Sequence, residues 1–211
     1  QLLQEYQKQP LLFNSGEQEK PLTHPIIKRG LHLHIDVAGR YSQGIVALRA
    51  IHNPDPIDPL KKDFYKPEEY FDFIPGNGQI LLEPGEHYLL CSREIIRVPS
   101  HLCSKVDARA EEGLDAKLHR AGYVHNGFYG PLVFEVTSYE NTPMICNDGS
   151  ILGSLNFART TIPQQSYDCQ NEKYNGQLGP MPPRPFKNPF AQSLEISLPQ
   201  YFLPESVIST F

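Results

Sequence analysis

Glu135 and a polar block near residue 175 supply residue types from which a hydrolytic site could be built. Glu135 follows the apolar run Leu132-Val133-Phe134, and a carboxylate beside a cavity can take a proton from water and pass it to a leaving group. Lys173 and Gln177 add a point charge and a neutral amide, which bind phosphate and sugar groups. The same residue types also fit a strand glutamate paired with Arg or Lys and a flexible polar tail.

Common nucleotide and hydrolase motifs are absent from the sequence. It contains no G-x-x-x-x-G-K-[ST] loop, no G-x-G-x-x-G after a strand, no G-x-S-x-G elbow and no H-x-E followed by P-C-x-x-C. P-loop, Rossmann, α/β-hydrolase and zinc-dependent base-deaminase chemistry are therefore not indicated.

The cysteine and histidine spacings favour structural roles over a metal site. None of the four cysteines, at positions 91, 103, 146 and 169, forms a C-x-x-C pair. We expect buried free thiols in a reducing compartment. His32 and His34 could bind a metal together, but spacing indicates no third ligand, and we expect a solvated strand face.

Composition indicates an all-β protein that binds neither membranes nor duplex nucleic acid. The chain has 211 residues, 20 prolines and 15 glycines, which suits many short strands and turns. A net charge of −5 provides no basic field for duplex nucleic acid, and no apolar run is long enough to span a membrane. The N-terminal residues show no signal-peptide pattern, so we expect a cytoplasmic protein.

Alternation of apolar and polar residues predicts a succession of short strands. Leu31, Leu33, Ile35 and Val37 share one face of a strand within 30–40, with His32, His34 and Asp36 on the other face. Such strands, recurring every 8–12 residues, indicate a sandwich, jelly roll or barrel. Further strands are predicted at 45–51, 79–82, 87–92, 95–98, 123–124, 132–138, 144–146 and 151–158.

The remaining segments predict a body with extensions at both ends. Residues 1–29 are expected to form an N-terminal arm with a short helix at 2–7, residues 30–160 the β domain, and residues 161–211 a C-terminal tail. Residues 53–78 are predicted to be a surface excursion with one helical turn, and 107–120 is the stretch most capable of forming a helix. Alternation at Leu194, Ile196 and Leu198 predicts one late strand.

Three blocks in fixed order carry a family resemblance. They are Leu82-Glu83-Pro84-Gly85-Glu86, the stretch from Ala121-Gly122-Tyr123-Val124 through Gly127-Phe128-Tyr129-Gly130 to Glu135, and Lys173-Tyr174-Asn175-Gly176-Gln177-Leu178-Gly179-Pro180. Over roughly residues 26–184 the chain resembles the dCTP deaminase branch of the dCTP deaminase/dUTPase superfamily. The resemblance implies a distorted β-barrel or jelly roll of the dUTPase-like type. It also implies a homotrimer whose active sites lie between subunits and are closed by the C-terminal tail.

The resemblance also implies roles for individual residues. Glu135 occupies the position of the catalytic glutamate, where a partly buried carboxylate can take a proton from water, protonate N3 and help the amine leave. Ala121 and Gly122 match the small residues beside the pyrimidine. Three tail residues match positions that close over the phosphates: Tyr167, Lys173 and Gln177. Members are zinc-free, and Mg²⁺ is bound through the nucleotide phosphates, so no protein ligand for a metal is predicted.

The sequence departs from the family pattern at two places. Where members have G-R-S-S-x-x-R, residues 108–114 read Ala-Arg-Ala-Glu-Glu-Gly-Leu, and only Arg109 remains to contact phosphate. Lys117, His119 or Arg120 could replace the lost cation. At His125-Asn126 most members have Asp-Pro or Asp-x, and the aspartate activates water in dUTPases, so hydrolysis of dUTP is not expected.

The resemblance therefore implies zinc-independent hydrolytic deamination of a cytidine or deoxycytidine nucleotide, most simply dCTP to dUTP and ammonia. Three alternatives remain open. They are an enzyme of altered substrate class, a non-catalytic nucleotide sensor or scaffold on the same fold, and a dUTPase-type nucleotide pyrophosphatase.

Overall fold

The computed structural model describes residues 2–14, 20–53, 55–107, 116–118, 122–138, 141–163 and 173–190. One α-helix, α1 Leu2–Lys8, precedes the strands, and short 3-10 turns lie at Ser42–Gly44 and Pro67–Glu69. In chain order, the strands are β1 Leu12–Asn14, β2 Lys20–Pro21, β3 Leu31–His34, β4 Ile45–Ala50, β5 Phe71–Pro75, β6 Gln79–Leu82, β7 His87–Arg97, β8 Leu102–Asp107, β9 Ala116–Leu118, β10 Tyr123–Val124, β11 Tyr129–Ser138, β12 Met144–Asn147 and β13 Ile151–Arg159. The all-β prediction is confirmed.

Strand β7 organises the largest sheet. Its partner along one edge is β11, and the other edge is shared by β4, which pairs at residues 88–90, and β1, which pairs at residues 95–96. β7 was predicted as two strands divided near Arg93. It is one strand because β11 pairs with it from His87 to Arg97, with a register shift between Pro131 and Val133. Ser92 and Glu94 are buried within it.

Two smaller sheets complete the described β-structure. One has the order β10-β8-β13-β3, and the other pairs β12 with β6. The sheets are joined at Ile35, which forms an antiparallel bridge with Ser92 of β7. Within the described residues the sheets form no closed barrel. The jelly-roll alternative to the barrel therefore fits the arrangement.

The apolar face predicted for residues 31–37 forms the centre of the core. Leu31, Leu33, Ile35 and Val37 are all fully buried. They pack in one cluster with side chains from β7 and β11, including Leu90 and Phe134. Burying an aliphatic side chain of this size contributes about 1.5–3 kcal/mol, so this strand holds the sheets together.

The prediction that the opposite face of this strand is solvated was wrong. His32 and Asp36 are buried, and His34 is half-buried. His32 hydrogen-bonds through Nε2 to the Lys28 carbonyl, and His34 places Nδ1 2.6 Å from Glu94 Oε1. Partners within the fold satisfy these polar groups, whether near in sequence, as Lys28 is to His32, or distant, as Glu94 is to His34. Alternation alone does not show these partners.

Arg40 connects two acidic residues at the end of this segment. Its guanidinium donates to Asp36 at 2.6 Å and to both carboxylate oxygens of Asp148 at 2.6 and 2.7 Å. The hydrogen bond from Arg40 lowers the pKa of Asp148 below its usual value. The bridge therefore ties the turn after β12 to the chain after β3.

Replacing Asp148 by Asn is expected to lower the free energy of unfolding at pH 7 by about 1–3 kcal/mol, the usual range for a hydrogen bond to a charged group. Because the pKa of Asp148 is depressed in the folded protein, this stabilisation is present above the unfolded pKa of about 3.9 and is lost as the pH falls through the folded pKa. Urea titrations of both proteins from pH 7 to pH 3 measure the difference.

Asp72→Asn is the control for this prediction. It breaks a bridge to Arg49 in which the Asp72 side chain is 47% exposed, so its cost should be below about 1 kcal/mol. Equal costs for Asp148→Asn and Asp72→Asn at pH 7 would contradict the role given to Arg40.

The N-terminal residues pack against the body of the fold. The predicted N-terminal helix is confirmed, and its Tyr6 is buried with the hydroxyl donating to the Leu22 carbonyl at 2.8 Å. Leu12 of β1 is fully buried in the main core. In the stretch expected to be helical, the described residues 116–118 form strand β9 along the free edge of β11. The late strand predicted near 194–198 lies outside the described residues.

Among the described residues, no helix is long and apolar enough to cross a membrane. Cys91 and Cys146 are buried free thiols, as predicted, and burial raises the pKa of Cys146 to about 11. Cys103 is a free thiol that is only partly buried, and Cys169 lies outside the described residues.

Candidate functional site

A cavity of about 390 Å³ lies where β10 and β11 meet the C-terminal segment. Its walls combine apolar side chains with one carboxylate, one imidazole and one amide. They are Leu89, Gly122, Tyr123, Val124, His125, Phe128, Leu132, Val133, Glu135, Tyr174, Gln177, Met181 and Pro183. Concave, mostly apolar sites with a few polar groups are typical of small-molecule binding.

Strand alternation places Glu135 in this cavity. Its neighbours Phe134 and Val136 point into the core and are buried, so Glu135 projects from the other face of β11. The residue is exposed in the single chain, where partial burial was expected. Within the part of the chain that the structure describes, no Arg or Lys forms an ion pair with Glu135. The site therefore presents an accessible carboxylate.

Gly122 leaves space at the opposite wall. No atom of the described chain lies within 4 Å of the position that a Cβ at residue 122 would take. Its carbonyl accepts a hydrogen bond from the Val106 amide at 3.4 Å. The place of Gly122 beside a pyrimidine ring stays a prediction. Its predicted neighbour Ala121 lies outside the described residues.

The third wall is a segment that we call the strap, residues 173–190. Near its start the strap runs along β11. The Gly176 amide donates to the Tyr129 carbonyl at 2.7 Å, and the Tyr129 amide donates to Asn175 Oδ1 at 2.8 Å. These bonds place Tyr174 and Gln177 at the cavity. Met181 of the strap is buried, so the segment behaves as part of the body.

The strap also contacts the surface excursion. The amide of Asp63 donates to the Arg184 carbonyl at 3.0 Å, and the amide of Phe64 donates to the Pro185 carbonyl at 2.9 Å. Farther on, the Lys187 amide donates to the Tyr65 carbonyl at 2.9 Å. Two separate regions of the body, β11 and the excursion, therefore hold the strap on both sides of the cavity.

Gly179 permits the closest contact of the strap. Its φ of +93° is one that L side chains rarely adopt, and a Cβ there would lie 1.6 Å from Ser42 Oγ. The Ser42 hydroxyl donates to the neighbouring Leu178 carbonyl. Only glycine therefore allows the strap to lie this close to the 3-10 turn.

The orientation of the Gln177 side-chain amide is fixed by the hydrogen bond that it donates. Its Nε2 donates to the Pro131 carbonyl at 2.9 Å, and because a carbonyl only accepts, the amide orientation is determined. Oε1 is buried and, among the described residues, has no hydrogen-bond partner. A ligand hydroxyl or amine could donate to Oε1 only after a movement of the side chain or the strap exposes this atom, and phosphate oxygens offer it no donor.

Lys173 does not line the cavity. Its ammonium lies 2.9 Å from Asp63 Oδ1 and also donates to the carbonyl of Phe186. The contact of Lys173 with phosphate stays a prediction, as do those of Arg109 and Tyr167, which lie outside the described residues.

Sequence reasoning missed several strap residues that line the cavity. Tyr174 belongs to the Lys173–Pro180 block but was given no role, and burial raises the pKa of its phenol. Met181 and Pro183 follow that block and carry no motif. The one sequence signal near these residues was the Lys173–Pro180 block itself, whose side chains can form hydrogen bonds.

Among the described residues, no group of three or more His, Cys, Asp or Glu side chains is placed to hold a metal ion.

The fold and the cavity define an all-β protein of the dUTPase-like class with a single accessible carboxylate in its described site. The family model of the 2'-deoxycytidine 5'-triphosphate deaminase (DCD) C-terminal domain matches residues 2–179. The chain therefore belongs to the dCTP deaminase family.

Individual relatives agree with this assignment. The chain is 31% identical to "dCTP deaminase, dUMP-forming" of Mycobacterium avium (strain 104) over 139 residues, which is 63% of this chain and 71% of that protein. The protein of the same name from Dictyoglomus turgidum is 30% identical over 128 residues, covering 59% of this chain and 66% of that protein.

A solved structure gives the same result. The crystal structure of 2'-deoxycytidine 5'-triphosphate deaminase from Agrobacterium tumefaciens aligns with a TM-score of 0.63 and 25% identity. The alignment covers 75% of this chain and 46% of that chain, so the present chain spans less than half of that protein's length.

Proposed function

We propose that this chain hydrolytically deaminates the cytosine of dCTP. One observation carries the proposal: the accessible carboxylate of Glu135 lies in a cavity that also takes its walls from Gly122 and from the strap. Family membership supplies the substrate class, because the relatives are named dCTP deaminases.

Each wall has a part in the proposed reaction. The open space at Gly122 accepts the flat pyrimidine ring. Glu135 takes a proton from a water molecule as its oxygen adds to C4, and delivers that proton to N3. It then takes the second proton from the new C4 hydroxyl and passes it to the amine, which leaves as ammonia while the C4 carbonyl forms. Gln177 Oε1 accepts a hydrogen bond from a donor on the nucleotide, either the sugar hydroxyl or the exocyclic amine.

The triphosphate contacts are part of the same proposal. Arg109, Tyr167 and Lys173 are assigned to the phosphates by the family pattern. Lys173 must exchange its contact with Asp63 for one with a phosphate oxygen. Asp63 and the phosphate are both anionic, so Lys173 keeps an anionic partner. Mg²⁺ enters with the phosphates and neutralises part of their charge.

Ammonia release tests the proposal. The purified chain is incubated with dCTP, CTP or dCMP and Mg²⁺, and ammonia and the loss of cytosine absorbance are followed together. We expect turnover of dCTP above the other two. Nucleotide-induced thermal stabilisation without ammonia from any of the three would instead establish a sensor on the same fold.

Removal of pyrophosphate is a second candidate activity. It is favoured by the names of the relatives, which are dUMP-forming, and by His125 at the cavity wall, which could orient a second water. Pyrophosphate measured beside ammonia separates the two products: equal amounts indicate dUMP, and ammonia alone indicates dUTP, as the loss of the family aspartate predicts.

Replacing Gln177 by Met is expected to raise KM for dCTP about tenfold, with a smaller effect on kcat, because one ligand hydrogen bond and the bond to Pro131 are lost together. Steady-state kinetics measure both constants. Gln79→Met, at an exposed position of β6, is the control. An unchanged KM would remove Gln177 from the binding site.

We further propose a cytoplasmic homotrimer. Glu135 is exposed in the single chain, and a neighbouring subunit could provide the cover that a water-excluding site needs. Light scattering should then give three times the chain mass of 23.9 kDa. The buried free thiols of Cys91 and Cys146 suit a reducing compartment.

A further inference from the structure

A second cavity, of about 350 Å³, adjoins the first. The two cavities share Leu89, Glu135 and Pro183 as wall residues. On its far side the second cavity is bounded by the end of β4 and by the excursion. Glu135 therefore stands at the junction of two spaces, only one of which the proposed reaction with dCTP requires.

The floor of the second cavity is aromatic. Tyr70, Phe71 and Phe186 are buried, and the Phe186 ring meets the other two edge to face at centroid distances of 5.3 and 5.1 Å. At the rim, Ile51 and Ile57 are 38% and 43% exposed. Apolar side chains at a cavity rim leave surface that an apolar ligand group can cover.

The cavity has few polar side chains, and some of them already form hydrogen bonds within the chain. Asn53 donates to the Glu69 carbonyl at 2.7 Å and accepts from the Asp55 amide at 2.9 Å. His87 Nδ1 lies 2.9 Å from Thr137 Oγ1. Among the described residues that line it, none is Lys or Arg. Asp55 and Glu135 add two carboxylates to the lining, so the cavity is unsuited to phosphate, and its aromatic floor offers a surface for an apolar group.

We infer that the enzyme also accepts cytosine nucleotides whose exocyclic amine carries an alkyl or arylalkyl substituent. This inference rests on the proposed function, in which Glu135 acts on N3 and on the exocyclic amine of the base. The amine then lies against Glu135, where the second cavity opens. A substituent on its nitrogen extends past Glu135 onto the floor of Tyr70, Phe71 and Phe186.

The reaction balances without any further reactant. Water adds to C4, the bond from C4 to the substituted nitrogen breaks, and the nitrogen leaves with its substituent as a primary amine. N4-benzyl-dCTP and water thus give dUTP and benzylamine, with Glu135 transferring the protons as it does for ammonia.

The test compares dCTP with its N4-methyl and N4-benzyl derivatives, and uses 5-benzyl-dCTP to place the same group on the neighbouring ring carbon. We expect N4-benzyl-dCTP to release benzylamine with a kcat/KM within tenfold of dCTP, and 5-benzyl-dCTP to react at least tenfold more slowly. Turnover of dCTP with no amine released from either N4 derivative overturns the inference and leaves the proposed function intact. Failure of all four substrates overturns both.

Two variants test whether the second cavity holds the substituent. Ala50→Leu fills it from the end of β4, and Ile57→Phe fills it from the exposed rim, where the fold tolerates the larger side chain. Each should lower kcat/KM for N4-benzyl-dCTP at least tenfold and leave dCTP within threefold. Ala158→Leu, at an exposed site of β13, is the control. Equal effects on both substrates would place the substituent elsewhere and overturn the inference.

Discussion

Glu135→Gln is expected to lower kcat for dCTP deamination by about 10²–10⁴-fold or more, because the amide can neither take a proton from water nor deliver one to the leaving amine. Size and shape are retained, so the fold and the affinity for nucleotide should change little. Glu135 is exposed and its carboxylate has no ion-pair partner among the described residues, which makes a large change in stability unexpected.

The measurement is single-turnover ammonia release, with thermal shift by dCTP recorded on the same samples. Glu68→Gln is the matched control, because it removes an exposed carboxylate in the 3-10 turn Pro67–Glu69, and it should keep full activity. If Glu135→Gln kept more than a tenth of the wild-type rate, another group would have to carry the protons. His125 is the titratable neighbour at the same cavity.

Gly179→Ala is expected to cause the second largest change, a fall in kcat/KM of about 10–100-fold. The new Cβ cannot remain 1.6 Å from Ser42 Oγ, so the strap must move away from the 3-10 turn Ser42–Gly44. Moving the strap displaces Tyr174 and Gln177 from the cavity wall. A loss of about 1.4–2.8 kcal/mol in docking the strap corresponds to the stated factor.

Gly78→Ala separates this contact from the cost of the backbone conformation. Gly78 has a φ of +94°, nearly that of Gly179, but no atom of the described chain lies within 4 Å of its Cβ position. Both variants therefore incur the left-handed backbone strain, and only Gly179→Ala adds a clash. Similar kcat/KM values for the two would show that the contact with Ser42 does not position the strap.

The local sequence pattern predicted the strand within 30–40 because the cause of that pattern is local. Successive side chains of a strand point to opposite faces, so the alternating positions Leu31, Leu33 and Ile35 share the core face, and the structure confirms it. The burial of the opposite face was not predicted, because a period of two does not show which polar groups find partners within the fold, as His34 does with Glu94. A buried polar residue looks the same in sequence as a solvated one.

The site was predictable to the extent that the family pattern assigned it. Glu135, Gly122 and Gln177 line one cavity, whereas Lys173 pairs with Asp63, a residue 110 positions away. No periodicity links Asp63 to the strap, so this pairing follows only from the folded chain. The same holds for Ser42 and Leu178, which are 136 positions apart.

The divided edge of β7 has a consequence for how the chain can be shortened. In the part of the chain that the structure describes, Ile95 and Ile96 are paired on that edge only by Phe13 and Leu12, and β4 covers the edge no farther than Leu90. Removing the first 14 residues would uncover a hydrophobic stretch of strand with unsatisfied backbone donors and acceptors. Such an edge recruits strands from other molecules. The N-terminal residues therefore protect the protein against self-association through its longest strand.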